Sequence, residues 1–246
     1  MSARGRWQGP WSGLARCVVA AMGLQCLGTV ATAEIASARY TDPTGRYDHA
    51  ILGDAIEYGA LEMRLRDGRK LRVVLPEARV FEDLAPRLAD VDNDGAPEII
   101  TIETSLTKGA RLAIYGETGL IAATPFIGRT HRWLAPLGAA DLDGDGRIEL
   151  AYVDRPHLAR TLRVWRFENG KLEHVADLEG LTNHRIGQDY ISGGIRICGD
   201  GAEIITANGD WSRIMATRLE GTNLVARDIG PFKGRGSLEA ALDCND

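Results

Sequence analysis

The sequence predicts an all-β protein, a β-propeller of about four four-stranded blades, on three observations. A segment of about fifty residues recurs four times; each copy sets a glycine before an apolar, β-branched run; and no long stretch carries apolar residues at helical spacing. The shared glycines are Gly45, Gly95, Gly146 and Gly201, at intervals of 50, 51 and 55 residues. Blades of this kind hide their faces against one another. A β-sandwich would require glycine and strand to coincide by chance four times.

The elements follow in chain order. Residues 1–33 carry arginines, then an apolar run from Cys17, then the small-residue ending Ala31-Thr32-Ala33, the pattern of a cleaved secretory signal. Gly23, Gln25 and Gly28 interrupt the run, leaving it short of the ~20 apolar residues of a spanning helix. The expected domains are therefore the signal peptide at 1–33 and one propeller domain at 34–246, periplasmic or secreted, with no membrane span after cleavage.

The first unit reads "TGRYDHAILGDAIEYGALEMRL" from Thr44. The second has "DGAPEIITIETSLTKGARLAIY" from Asp94 and then a tight turn around Thr118-Gly119. The third, from Asp145, ends in a hairpin whose turn is Asn169-Gly170, and the fourth starts at Asp200. The C-terminal "GSLEAALDCND" resembles the opening of another unit, so it is expected to supply a strand to the N-terminal blade and close the ring, leaving no free edge.

Composition bounds the partners. With 44% hydrophobic and 26% charged residues the chain is globular. Loss of Arg4, Arg6 and Arg16 with the signal leaves 26 basic against 34 acidic residues, a net charge of −8. An acidic surface repels phosphate backbones, so nucleic acid is excluded as a partner, and a protein or glycan ligand is expected.

Two loops read D-x-D-x-D-G-x-x-E: Asp90, Asp92, Asp94, Gly95, Glu98 and Asp141, Asp143, Asp145, Gly146, Glu149. Alternate acids on a tightly turning backbone can point their oxygens at one centre, and the carbonyls of Ala96 and Arg147 can complete a ring of hard ligands suited to Ca²⁺. An EF-hand needs its bidentate acid at the twelfth position and flanking helices; here position twelve is Thr101 or Tyr152, inside a strand. Without a cation, like charges ~4 Å apart repel by roughly 4 kcal/mol per pair at an effective dielectric near 20, which argues against a merely solvated turn. Two Ca²⁺ sites are expected. Catalysis by these acids is not, because metal-bound carboxylates shuttle protons poorly.

This pattern resembles the calcium-binding FG-GAP or VCBS repeats of integrin α-subunit propellers and of many exported bacterial proteins. The resemblance spans about residues 40–245, and only the loops at 90–98 and 141–149 match the motif fully. It implies calcium held within blades that stiffens the propeller. The family includes adhesion modules and parts of polysaccharide-cleaving enzymes, so it implies no activity.

The outer loops depart from the motif. The first offers Tyr40, Asp42, Thr44 and Asp48, too few carboxylates for a site. The fourth has Arg196 and Cys198 where the first two acids stand, and Glu203 arrives one residue early, so Arg196 is expected to supply positive charge to Asp200 or Glu203 in place of an ion. Cys198 and Cys244 align at equivalent loop positions of neighbouring units, which predicts a disulfide.

His131-Arg132-Trp133 and His184-Arg185-Ile186 occupy similar places before the third and fourth loops. The set His131, Arg132, Trp133, His184 and Arg185 is a candidate binding site for an anionic or sugar ligand near the ring axis. No nucleophile elbow, P-loop, dinucleotide fingerprint or close histidine spacing appears. The sequence thus reads as a calcium-binding interaction module without catalysis of its own. The alternative is a carbohydrate-active hydrolase or lyase with His131, Arg132, His184 and Arg185 converging in one channel.

Overall fold

A strand sandwiched between two sheets is buried on both faces, since successive side chains point opposite ways. Three strands meet that condition: every residue of Glu98–Ser105 and Glu149–Asp154, and all but the last of Ala202–Asn208, is buried. They are the second strands of their units, and the fold is built around them. The computed structural model describes residues 34–199 and 201–244, all within one unit, Thr32–Asp246; the expected signal peptide lies outside the described residues.

The first unit comprises β1 (Ile35–Thr44), β2 (Glu57–Leu65) and β3 (Lys70–Val74), paired antiparallel in that order. A short β4 (Arg79–Phe81) bonds both β2 and the second unit. That unit is β5 (Arg87–Ala89), β6 (Glu98–Ser105), β7 (Gly109–Gly116) and β8 (Gly119–Ala123). The third is the regular sheet β9 (Leu134–Ala140), β10 (Glu149–Asp154), β11 (Thr161–Glu168) and β12 (Lys171–Glu179). In the fourth, β13 (Leu181–Thr182) and β14 (Gly194–Ile197) share the inner position against β15 (Ala202–Asn208), followed by β16 (Arg213–Glu220) and β17 (Asn223–Pro231).

The chain is therefore all-β and propeller-like, with one correction to the expected units. The first sheet has three strands of its own, and β4 welds it to the second in an eight-stranded sheet. Asn169-Gly170 forms the expected turn, with φ of 51° and 72° and Glu168 facing Lys171. In the second unit Gly116 faces Gly119, so the turn residues are Glu117-Thr118, one position earlier than expected.

Packing alternates along the buried strands. Ile99 packs against Leu61 and Met63 of the first unit, whereas Ile100 and Ile102 pack against Leu150 and Tyr152 of the third. Ala151 and Val153 face Ala202 and Ile204 of the fourth. Each such contact is a core in its own right, and truncating Leu150 to Ala would cost about 2–5 kcal/mol.

The expected closing strand is corrected more deeply. Residues Arg235–Leu242 form a helix, α1, and no strand. Leu238 and Ala241 recur at helical spacing and, with Leu242, pack on Ile205, Ile214 and Ala216, covering the face of the fourth unit that a further sheet would otherwise take. Cys198 and Cys244 are disulfide-bonded, with Cα atoms 5.9 Å apart. The bond ties the end of α1 to the fourth loop rather than joining two blades. No helix among the described residues is long and apolar enough to cross a membrane.

Candidate functional site

The two full motifs fold alike. In the loop between β5 and β6, Asp90 accepts the N–H groups of Asp94 (3.1 Å) and Gly95 (3.0 Å), Asp92 accepts Asp94 N–H (3.1 Å), and Glu98 accepts Val91 N–H (3.0 Å). Between β9 and β10, Asp141 accepts Asp145 (3.1 Å) and Gly146 (2.9 Å), Asp143 accepts Asp145 (3.3 Å), and Glu149 accepts Leu142 (2.9 Å). Gly95 and Gly146 hold φ near 91° and 85°, which only glycine adopts without strain. Asn93 donates to Gly146 O across 2.9 Å, tying one loop to the next.

Carboxylate oxygens of Asp90, Asp92 and Asp94 lie within 4.8 Å of one another, as do those of Asp141, Asp143 and Glu149. Glu98 stands outside the first trio. Burial, then the charges of Asp92, Asp94 and Asp90, hold its carboxyl above the usual range. In the second loop Asp145 turns to Arg147 (Nε 2.9 Å), whose guanidinium holds it down to about 2. The backbone amides of Ala96 and Arg147 donate to Asp94 and Asp145.

Of these two loops, only the second has guanidiniums on its acids among the described residues, Arg147 and Arg166. Arg166 on β11 bonds Glu149 (2.5 Å) and Asp143 (2.7 Å) and lies 3.3 Å from Asp145. Glu149 and Arg166 are register partners. One step beyond the Ile99–Tyr115 pair, the residue facing Glu98 is Gly116. Among the described residues no Lys or Arg forms an ion pair with Asp90, Asp92, Asp94 or Glu98.

These loops and the strands between them make up the stretch that a known family covers. Residues 90–152 match the FG-GAP-like repeat. The match takes in both full motifs, β6 to β9 and most of β10. Comparison with curated proteins finds no match. Among solved structures, an exotype rhamnogalacturonan lyase, YesX, is similar at 17% identity with a TM-score of 0.45, over 81% of this chain and 48% of that one. The chain thus spans about half the length of that lyase.

Outside the matched repeat, the fourth loop carries charge of its own. Buried Glu203 accepts Arg196 (Nη2 2.8 Å), Arg218 (2.9 Å) and Arg227 (3.0 Å), which hold its carboxyl down to about 2 against the opposing effect of burial. Arg196 thus does supply the charge expected of it, to Glu203. In the first loop, Asp42 pairs with Arg72 and Asp48 with His131, so these acids do not converge.

The His/Arg candidates separate. His131, Arg132 and Trp133 line one cavity of ≈ 200 Å³, where sequence reasoning missed His49, Arg155 and His157. His184 is fully buried beneath it, with its ring 5.0 Å from Trp133 and Nδ1 3.1 Å from His157 Nε2; it is a support rather than a wall. Arg185 is elsewhere, stacked 4.5 Å over Trp211. His49 and His157 belong to loops with no motif, so only topology could have recruited them. Gly109 fixes the cavity loop: a Cβ there would lie 2.7 Å from Arg132 O, and Ala110 N–H bonds that same oxygen.

Proposed function

We propose that the chain is an exported, four-bladed β-propeller, stiffened by calcium, that serves as a binding or interaction module. The observation that carries this reading is the first loop: three carboxylates bring oxygens within 4.8 Å of one another, no cation among the described residues pairs with them, and hard oxygen donors in that arrangement suit Ca²⁺. Asp90, Asp92, Asp94, Glu98 and the Ala96 carbonyl would hold the ion. Asp141, Asp143, Asp145, Glu149 and the Arg147 carbonyl form the second set, where calcium must displace Arg166. The first site is accordingly the tighter. Bound calcium would neutralise the loop and fasten neighbouring sheets through the Asn93 bridge.

The enzyme alternative required His131, Arg132, His184 and Arg185 in one channel, and Arg185 lies elsewhere, which favours the binding module. Pull-down and glycan-array binding with and without a calcium chelator test the proposal. Binding should weaken on chelation and return with Ca²⁺; binding indifferent to chelator would contradict it.

A further inference from the structure

Building on the binding-module reading, we propose that the cavity between His49, His131, Arg132 and His157 binds the carboxylate of a small organic acid or of a single acidic sugar. Its lining contains no Asp or Glu, although the chain as a whole carries a net charge of −5. Two arginines reach it. Arg155 is held by both oxygens of Asp154, at 2.8 and 2.9 Å, and is already neutralised. Arg132 forms no ion pair among the described residues and donates only to its neighbour's carbonyl, His131 O, at 2.8 Å. A half-buried guanidinium without a carboxylate, facing an acid-free cavity, matches the planar fork of a carboxylate.

His49 completes the donor set, whereas His131 Nε2 is taken up by Asp48 at 2.9 Å and His157 Nε2 by His184 at 3.1 Å. His49 Nδ1 is engaged by buried Glu82 at 2.5 Å, and the other Glu82 oxygen accepts Thr104 Oγ1 at 2.6 Å. His49 Nε2 is left without a protein partner among the described residues. Burial pushes Glu82 up to about 8 and His49 down to about 4, so near neutral pH the pair holds two protons and Nε2 carries one whichever way the shared proton sits. Arg132, Asp48, His131 and Tyr47 also face His49; Asp83 and Glu57 lie near Glu82.

The remaining wall is apolar, with Ile51, Pro156, Leu158 and Ile186 beside Trp133, as a carbon skeleton requires. A volume of ≈ 200 Å³ falls below the ~300–1,000 Å³ of drug-sized sites, which limits the ligand to one small acid or one ring. A single unpaired guanidinium, the other arginine being held by Asp154, favours a monoanion over phosphate. His131 and Arg155 both hold left-handed backbone, φ 53° and 45°, and such strain concentrates at binding sites.

The test is calorimetric titration of the intact, calcium-supplemented protein with acetate, glucuronate, glucose and inorganic phosphate. Acetate or glucuronate should bind, the better of the two identifying the source of the carboxylate, with glucose and phosphate at least tenfold weaker. Arg132→Met should cost at least tenfold in that affinity; Arg132→Lys, which keeps the charge without the fork, covers the case in which the Met variant fails to fold. Affinity should decline as pH rises above 8, where His49 Nε2 gives up its proton. Equal binding of glucose and glucuronate, stronger binding of phosphate, or folded Arg132 variants with unchanged affinity would overturn the inference. Absence of carboxylate binding alongside chelator-sensitive glycan or protein capture would overturn it while leaving the binding-module reading intact.

Discussion

The second and third units place the same glutamate at the mouth of the same strand, yet Glu98 faces Gly116 and Glu149 faces Arg166. Closely matching loop hydrogen bonds thus enclose different charge. Extending the comparison, the fourth unit gives Glu203 three guanidiniums. The first opens β2 at Glu57, which is buried, has no ion-pair partner among the described residues and is pushed up to about 9 by burial and by Glu82, Asp54 and Asp83. A buried carboxylate must be neutralised somehow. This chain does so by proton, by a proposed ion, by one arginine and by three.

The comparison can be broken at several points. The largest effect is expected at the fourth unit, where Arg196→Met removes the most buried of the cations on Glu203. About 3 kcal/mol should be lost, toward the low end for a broken buried pair because Arg218 and Arg227 remain. Urea unfolding measures it, and an unchanged midpoint would show that the ion pair is dispensable. In the same unit Cys244→Ser should cost ~2–4 kcal/mol, read as a lower melting temperature under oxidising conditions only.

Exchanging the cross-strand residues sharpens the contrast. Gly116→Arg should reduce calcium stabilisation of the first loop, worth ~2.7 kcal/mol at a hundredfold excess over Kd, and Arg166→Gly should increase that of the second. A Cβ at 116 would lie 2.8 Å from Cδ1 and 3.5 Å from Cγ1 of Ile121, a side chain that can shift. Melting with and without Ca²⁺ reports both changes, and equal calcium shifts in the two variants would mean that the cross-strand residue is irrelevant.

The smallest effect is at Glu57. Burial raises its carboxyl from the ordinary 4.5 to about 9, so its contribution is fully present below 4.5 and is lost as pH rises toward 9. Glu57→Gln should therefore stabilise by roughly 1–2 kcal/mol at pH 8 and little at pH 4. A Tm difference that does not grow with pH would refute the buried-proton assignment.

Local spacing made the two full loops, the Asn169-Gly170 hairpin and the Cys198–Cys244 pair legible in the sequence, because each is a short-range or repeat-registered signal. Helix α1 was not legible: its three apolar contacts, Leu238, Ala241 and Leu242, are too few to distinguish a helix from an alternating strand. Arg166 was missed because it lies 17 residues from Glu149 and meets it only through strand register. The first unit misled because the loop at 45–56 is longer than its counterparts, so the glutamate at the strand's mouth is Glu57 and not Asp48. His49 and His157 reach the cavity from different units, an adjacency that no spacing records.

Calcium titration of the metal-free protein by isothermal calorimetry tests the central claim most directly. One tight site that disappears in Asp92→Asn, with a weaker second site that tightens in Arg166→Gly, is the predicted result. No heat of binding, or a tight site that survives Asp92→Asn, would contradict it.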